Sequence, residues 1–126
     1  MAKKKVPKTR CNGTMTEAAF FGMIRSCLRR AARFWKPATL CKTNARRAYK
    51  GKNKRQRWEY QCCECGEWFK GDEVQVDHII PCGTLRCFDD IGPFCERLFC
   101  EVDGFQVMCK PHHQIKTNRE REERKV

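Results

Sequence analysis

A chain of 126 residues with 27 lysines and arginines against 15 acids, a net charge of +12, has room for one modest domain and an arm. No apolar run approaches the roughly 18 residues of a membrane span, and none follows the lysines at positions 3 to 5 to make a secretion leader. Eleven cysteines, an odd number, therefore read as thiols of a reducing compartment, the cytoplasm, with metal-bound thiolates in place of a disulfide scaffold.

The charge is unevenly spread. Residues 1–60 hold 18 lysines and arginines against Glu17 and Glu59, whereas residues 61–126 hold nine against 13 acids. A concentrated basic half is built to meet a polyanion, because phosphate backbones release counterions when cations replace them. The bland reading is a solubility tail.

In chain order, residues 1–13 are basic and carry Pro7 and Gly13, which predicts a disordered arm that orders on nucleic acid. Thr14 stands three residues before Glu17, the capping-box spacing, ahead of a helix whose apolar stripe is Phe21, Ile24, Leu28, Ala32 and Trp35. Arg25, Arg29, Arg33 and Lys36 form a second stripe, and like charges at that spacing repel one another unless an anion joins them. Pro37 ends or kinks this helix, and a shorter one runs from Ala38 to Tyr49 with Lys42, Arg46 and Arg47. The segment 50–57, with Lys54, Arg55 and Arg57, has no apolar residue and reads as an exposed connector against phosphates or free in solvent. Residues 14–57 thus form a basic helical region and 58–126 a second domain.

Trp58, Tyr60 and Cys62 alternate with polar residues as a half-buried strand does, and a second strand covers Val74 to His78 before Pro81 and Gly83. Residues 84–103 match no chemical motif and predict a loop and a short helix from Pro93 to Cys100, after which come a strand from Phe105 to Met108 and a helix from His112 to Arg124. Two ligand pairs, Cys62 with Cys65 and Cys109 with His112, are each three positions apart, the spacing with which a knuckle puts both ligands on one tetrahedral zinc. Four protein ligands make a closed, structural site. Cys63 is the rival for the first position and His113 for the last, and most other cysteines read as small buried apolar residues.

The order Cys62-Cys63-Glu64-Cys65, Val76-Asp77-His78-Ile79-Ile80-Pro81, then Cys109-Lys110-Pro111-His112-His113-Gln114-Ile115-Lys116-Thr117 resembles the HNH endonuclease family. The resemblance covers about the C-terminal half and implies an α+β fold: a ββα-metal core with a structural zinc knuckle, here preceded by the basic helical arm. It implies that Asp77 and His113 hold a catalytic Mg2+ or Mn2+, that His78 is the general base, and that Lys116 lies near the nucleic acid backbone. The implied activity is hydrolysis of phosphodiesters in DNA, duplex DNA first, as in the stand-alone HNH proteins of phage genomes acting in the host cytoplasm. The family's middle asparagine falls on Gly104; Asp103 or Asn118 are the substitutes in reach, and without one the chain reads as a nucleic-acid-binding zinc module, for DNA or RNA, with weak or no catalysis.

Overall fold

The computed structural model describes residues 4–125, and the first three residues of the predicted arm lie outside them. The fold is mixed α+β, with four α-helices and three small antiparallel sheets among the described residues. The chain divides into two compact units: one takes the residues up to Phe34 together with Cys82–Phe99, the other Trp35–Pro81 together with the residues from Cys100 on. The division differs from a boundary at 57/58, because the apolar face of the first helix is covered by a segment that lies far away in the sequence.

In the first unit, the arm predicted to be disordered over residues 1–13 contains ordered structure among its described residues. Strand β1 (Lys8–Arg10) pairs with β2 (Met15–Thr16), and the turn between them holds Cys11, Asn12 and Gly13 in succession at positive φ. Arg10 fixes this hairpin. Its guanidinium lies 4.5 Å from the Phe20 ring centre and 5.1 Å from that of Phe88, and its Nε is 2.8 Å from Glu17 Oε1. The Thr9 hydroxyl and Arg10 together hold the Glu17 carboxyl below its ordinary value.

Helix α1 runs over Glu17–Ala32, and its cap is Thr16, whose hydroxyl accepts from Ala19 N at 3.1 Å; Thr14 instead donates its hydroxyl to Cys11 O. Phe21, Ile24, Leu28 and Ala32 pack on Cys82, Leu85, Phe94 and Leu98, so the predicted apolar stripe is core. The last two of these core residues belong to α3 (Ile91–Leu98), which begins two residues before the predicted start at Pro93. Arg29 sits with its guanidinium 5.9 Å from the Phe94 ring centre, and Arg25 is half-buried, so part of the arginine stripe is engaged by the fold itself.

In the second unit, Pro37 opens a helix rather than ending one: α2 spans Lys36–Asn44 with proline in its first turn, where a missing N–H costs nothing. Trp35 is not part of the α1 stripe; it caps α2 and donates its indole N–H to Cys100 O at 2.6 Å. Arg46 and Arg47, predicted as helical, lie in β3 (Arg46–Ala48), which pairs with β4 (Trp58–Gln61), itself paired with β5 (Trp68–Phe69). The third sheet pairs β6 (Val74–His78) with β7 (Phe105–Cys109) in unbroken register from Val74↔Cys109 to His78↔Phe105. Helix α4 (Lys110–Arg124) follows β7 directly. No helix among the described residues is long and apolar enough to cross a membrane.

Phe94 is wholly buried at the centre of the first unit's core. Phe94→Ala removes a wholly buried ring, and the expected loss is about 3–5 kcal/mol of unfolding free energy in urea titration.

Candidate metal centre and Asp77–His113 pair

The knuckle between β4 and β5 folds because its backbone bonds close on themselves. Cys62 N donates to Glu67 O at 3.0 Å, Gly66 N donates to Cys62 O at 2.9 Å, and Gly66 takes a φ of 71°, a conformation in which glycine carries no steric cost. Cys63 N then donates to Val107 O at 2.9 Å, which ties the knuckle to β7. On the other side, Cys109 ends β7 and caps α4, and Pro111 in the first turn leads to His112.

These two segments bring Cys62, Cys65, Cys109 and His112 together, with every ligand atom within 4.8 Å of the others and Cys109 Sγ 3.0 Å from His112 Nδ1. Sulfurs on a tetrahedral zinc stand about 3.8 Å apart, so the set needs only a small contraction to close on an ion. Burial opposes ionisation of the Cys62 thiol, but the backbone N–H groups of Cys109, Cys65 and Glu64 outweigh it and bring it down to about 7. Burial pushes the Cys109 thiol up, as does neighbouring Cys62, against the N–H of His112. One sulfur ready to ionise beside one that resists further negative charge is an arrangement that gains from a soft divalent cation. Three thiols and an imidazole could hold zinc here.

The rivals fall elsewhere. Cys63 is exposed, its Sγ donates to Gln106 Oε1 at 3.5 Å, and burial with the nearby charges of Cys62, Glu64 and Asp77 pushes its thiol up. His113 turns to Asp77: its Nε2 lies 3.5 Å from Asp77 Oδ1. The remaining cysteines do not follow the expectation of burial, since Cys11, Cys27 and Cys87 are exposed, Cys41, Cys95 and Cys100 intermediate, and only Cys82 buried. In a chain this small the core cannot cover so many side chains.

Asp77 is the hub of a second cluster. One oxygen faces His113; the other lies 2.8 Å from Lys116 Nζ and accepts from Gln106 Nε2 at 3.3 Å. Lys116 also donates to His78 O at 3.0 Å and bonds Glu120 on the next turn. Its side chain is only 10% exposed, and its ammonium is held by the protein's own carboxylates. Burial works against the ammonium, but Asp77 and Glu120 outweigh burial and hold its pKa above the ordinary lysine value. His113, Lys116 and Glu120, three and then four positions apart, share one face of α4, which is how a single helix delivers all three beside β6. Sequence reasoning missed Gln106 and Glu120; that helical spacing was the available signal for Glu120, and nothing local marked Gln106.

His78 is placed differently. The register keeps it opposite Phe105, with the two rings 4.7 Å apart, while its neighbour Asp77 stands opposite Gln106. Successive strand residues face opposite sides of a sheet, and β6 stays regular to its last residue. The structure therefore brings Asp77 and His113 into contact and sets the His78 ring against Phe105.

Position 104 is glycine for a steric reason. A Cβ there would lie 2.5 Å from Cys100 Sγ and 2.9 Å from Cys100 Cβ. The loop is held instead by backbone, with Ile79 N donating to Gly104 O at 2.9 Å. Of the two proposed substitutes for an asparagine, Asn118 accepts from Gln114 at 2.9 Å and Asp103 is exposed. Among the basic residues singled out in sequence, Arg33, Arg46, Arg47, Lys54, Arg55 and Arg57 are exposed. No family model, curated protein or solved structure matches this chain.

Three outcomes are expected. Purified protein carries about one zinc per chain by elemental analysis; Cys62→Ser and Cys109→Ser lose it, while Cys63→Ser keeps it. Lys116→Met leaves two carboxylates facing each other without their cation and costs about 2–3 kcal/mol in chemical denaturation. Gly104→Ala costs about 1–3 kcal/mol by overpacking, most of it recovered in the double variant with Cys100→Ala.

Proposed function

We propose that the chain is a zinc-stabilised, metal-dependent endonuclease of HNH type that hydrolyses phosphodiester bonds in DNA. The observation that carries the reading is the carboxylate–imidazole pair, Asp77 Oδ1 and His113 Nε2 at 3.5 Å, delivered by a strand and by the first turn of the helix that follows the paired strand. Two strands and a helix bearing this pair, beside a cysteine-histidine cluster on the same helix, are what a ββα-metal core with a zinc knuckle requires. Zinc at Cys62, Cys65, Cys109 and His112 is structural in this reading, since all four positions are filled by protein.

Asp77 and His113 are the residues that would hold a hard divalent ion, Mg2+ or Mn2+, with water and phosphate oxygens as its other ligands. Held there, such an ion would supply positive charge to the scissile phosphate and to the departing oxygen. His78 takes the proton of the attacking water on an imidazole nitrogen; a new P–O bond forms as the bond to the leaving oxygen breaks, and that oxygen takes a proton from solvent. Gln106 and Lys116 orient Asp77 by occupying its second oxygen. The basic surface residues supply affinity for the DNA backbone without sequence information.

One observation favours a second reading, a DNA- or RNA-binding zinc module without catalysis: the Lys116 ammonium already neutralises Asp77. Incubation of supercoiled plasmid with the protein and Mg2+ or Mn2+ separates the two. The nuclease reading expects nicked or linear product that disappears without added divalent ion, and at least about a 100-fold slower reaction for Asp77→Ala, His113→Ala and His78→Ala with zinc content unchanged. Plasmid that stays supercoiled with every divalent ion, yet is bound, selects the binding module. Cleavage by His78→Ala at the parent rate refutes the assigned base.

A further inference from the structure

The segment that looked in sequence like a helix end and a loose connector is one β-hairpin. Strands β3 and β4 pair as Arg46↔Tyr60, Arg47↔Glu59 and Ala48↔Trp58, and Tyr49 N continues the ladder by donating to Arg57 O at 2.9 Å. The tip is folded too. Gln56 N donates to Asn53 O and Arg55 N to Asn53 Oδ1, both at 3.1 Å, while the Tyr49 ring lies so close over Gly51 that a Cβ there would fall 2.2 Å from its Cζ.

Between Arg46 and Gln61 the hairpin carries seven cations, Arg46, Arg47, Lys50, Lys52, Lys54, Arg55 and Arg57, and a single acid, Glu59. Arg47 neutralises that acid at 2.6 Å and lies over Trp68 at 3.8 Å; Arg46 lies over Trp58 at 3.9 Å. The two guanidiniums are thus held in place on opposite faces of the ribbon, since the residues at 46 and 47 alternate sides. Among the described residues, none of the five cations from Lys50 to Arg57 is in an ion pair, and all are exposed.

We propose that this hairpin is a DNA-binding ribbon that enters the major groove of duplex DNA, with the cations of its tip on the flanking phosphates and the ordered Arg46 directed at the groove wall. The chemistry and the dimensions agree. Beyond Tyr60 and Gln61, where β4 also pairs with β5, the hairpin is two strands wide; two strands about 4.8 Å apart with their side chains fill a groove about 12 Å wide, whereas the B-form minor groove, about 6 Å wide, excludes them and the A-form major groove is too narrow and deep. Ordered arginines on a folded ribbon lose less freedom on binding than a disordered basic tail does, which is what the stacking on Trp58 and Trp68 supplies. The proposal rests on the reading of the chain as acting on DNA, yet needs no catalysis.

The test measures binding of a labelled 20-base-pair DNA duplex by fluorescence anisotropy, without added divalent ion, from 50 to 300 mM NaCl. Lys52→Ala, Lys54→Ala, Arg55→Ala and Arg57→Ala combined are expected to weaken binding on the order of 100-fold at 100 mM salt and to flatten the slope of log K against log salt by about three to four. Zinc content and circular dichroism of this variant match the parent, which excludes misfolding as the cause. Dimethyl sulfate footprinting of the parent complex is expected to protect guanine N7, the major-groove atom. An unchanged affinity and slope overturn the proposal; so does protection confined to adenine N3 in the minor groove, or equal affinity for an RNA duplex or a single strand of the same sequence. A parent protein that binds in this way but never cuts plasmid removes the nuclease reading and leaves the ribbon standing.

Discussion

The second unit depends on the convergence of Cys62, Cys65, Cys109 and His112. One buried cluster of the unit consists of Cys62, Met108 and Cys109 with Phe69 against them, so two of its three buried members are candidate ligands. Val74, Phe105 and Val107 are buried beside it, a modest amount of hydrocarbon against the chain entropy of the segments around it. A divalent ion on those sulfurs would join the knuckle after β4 to the junction of β7 and α4, and its binding free energy would become folding free energy.

That constraint reaches the chemistry through one helical turn. His112 and His113 are consecutive on α4, and consecutive helix residues point about 100° apart. Fixing His112 in the cysteine cluster therefore aims His113 at β6, where it meets Asp77. Lys116 and Glu120 continue the same face, and their charges close the cluster: Asp77 has an imidazole on one oxygen and an ammonium and an amide on the other. A carboxylate so held is directed and partly neutralised at once, which favours geometry over affinity for a second cation. The same economy appears at Gly104, where the packing of Cys100 leaves room only for backbone, and the backbone makes the closing bond to Ile79.

Much of this was legible in the sequence because it rests on local spacing. The two ligand pairs, the alternating strand ending at His78 and the apolar stripe of α1 follow from residues within a few positions of one another, and the structure contains each of them. What the sequence hid was set at long range. Trp35 looked like the last member of the α1 stripe, yet Pro37 starts a new helix and the indole bonds Cys100, 65 positions away. Arg46 and Arg47 had helical neighbours in sequence but pair with a strand whose own signal began only at Trp58. Arg10 belongs to a stretch that composition marks as disordered; two phenylalanine rings and Glu17, none adjacent to it, order the hairpin. Lys116 looked like a surface cation because the acids that bury it lie on another strand and one turn further along the helix.

The proposed function needs two separate ion sites beside α4, a soft one at the cysteine-histidine cluster and a hard one at Asp77 and His113. Anomalous diffraction from crystals soaked in MnCl2, recorded at the zinc and manganese absorption edges, tests it most directly. The account predicts a zinc peak among Cys62, Cys65, Cys109 and His112, and a distinct manganese peak in contact with Asp77 and His113. Manganese absent from Asp77 and His113, with the Lys116 ammonium still on the carboxylate, would contradict it.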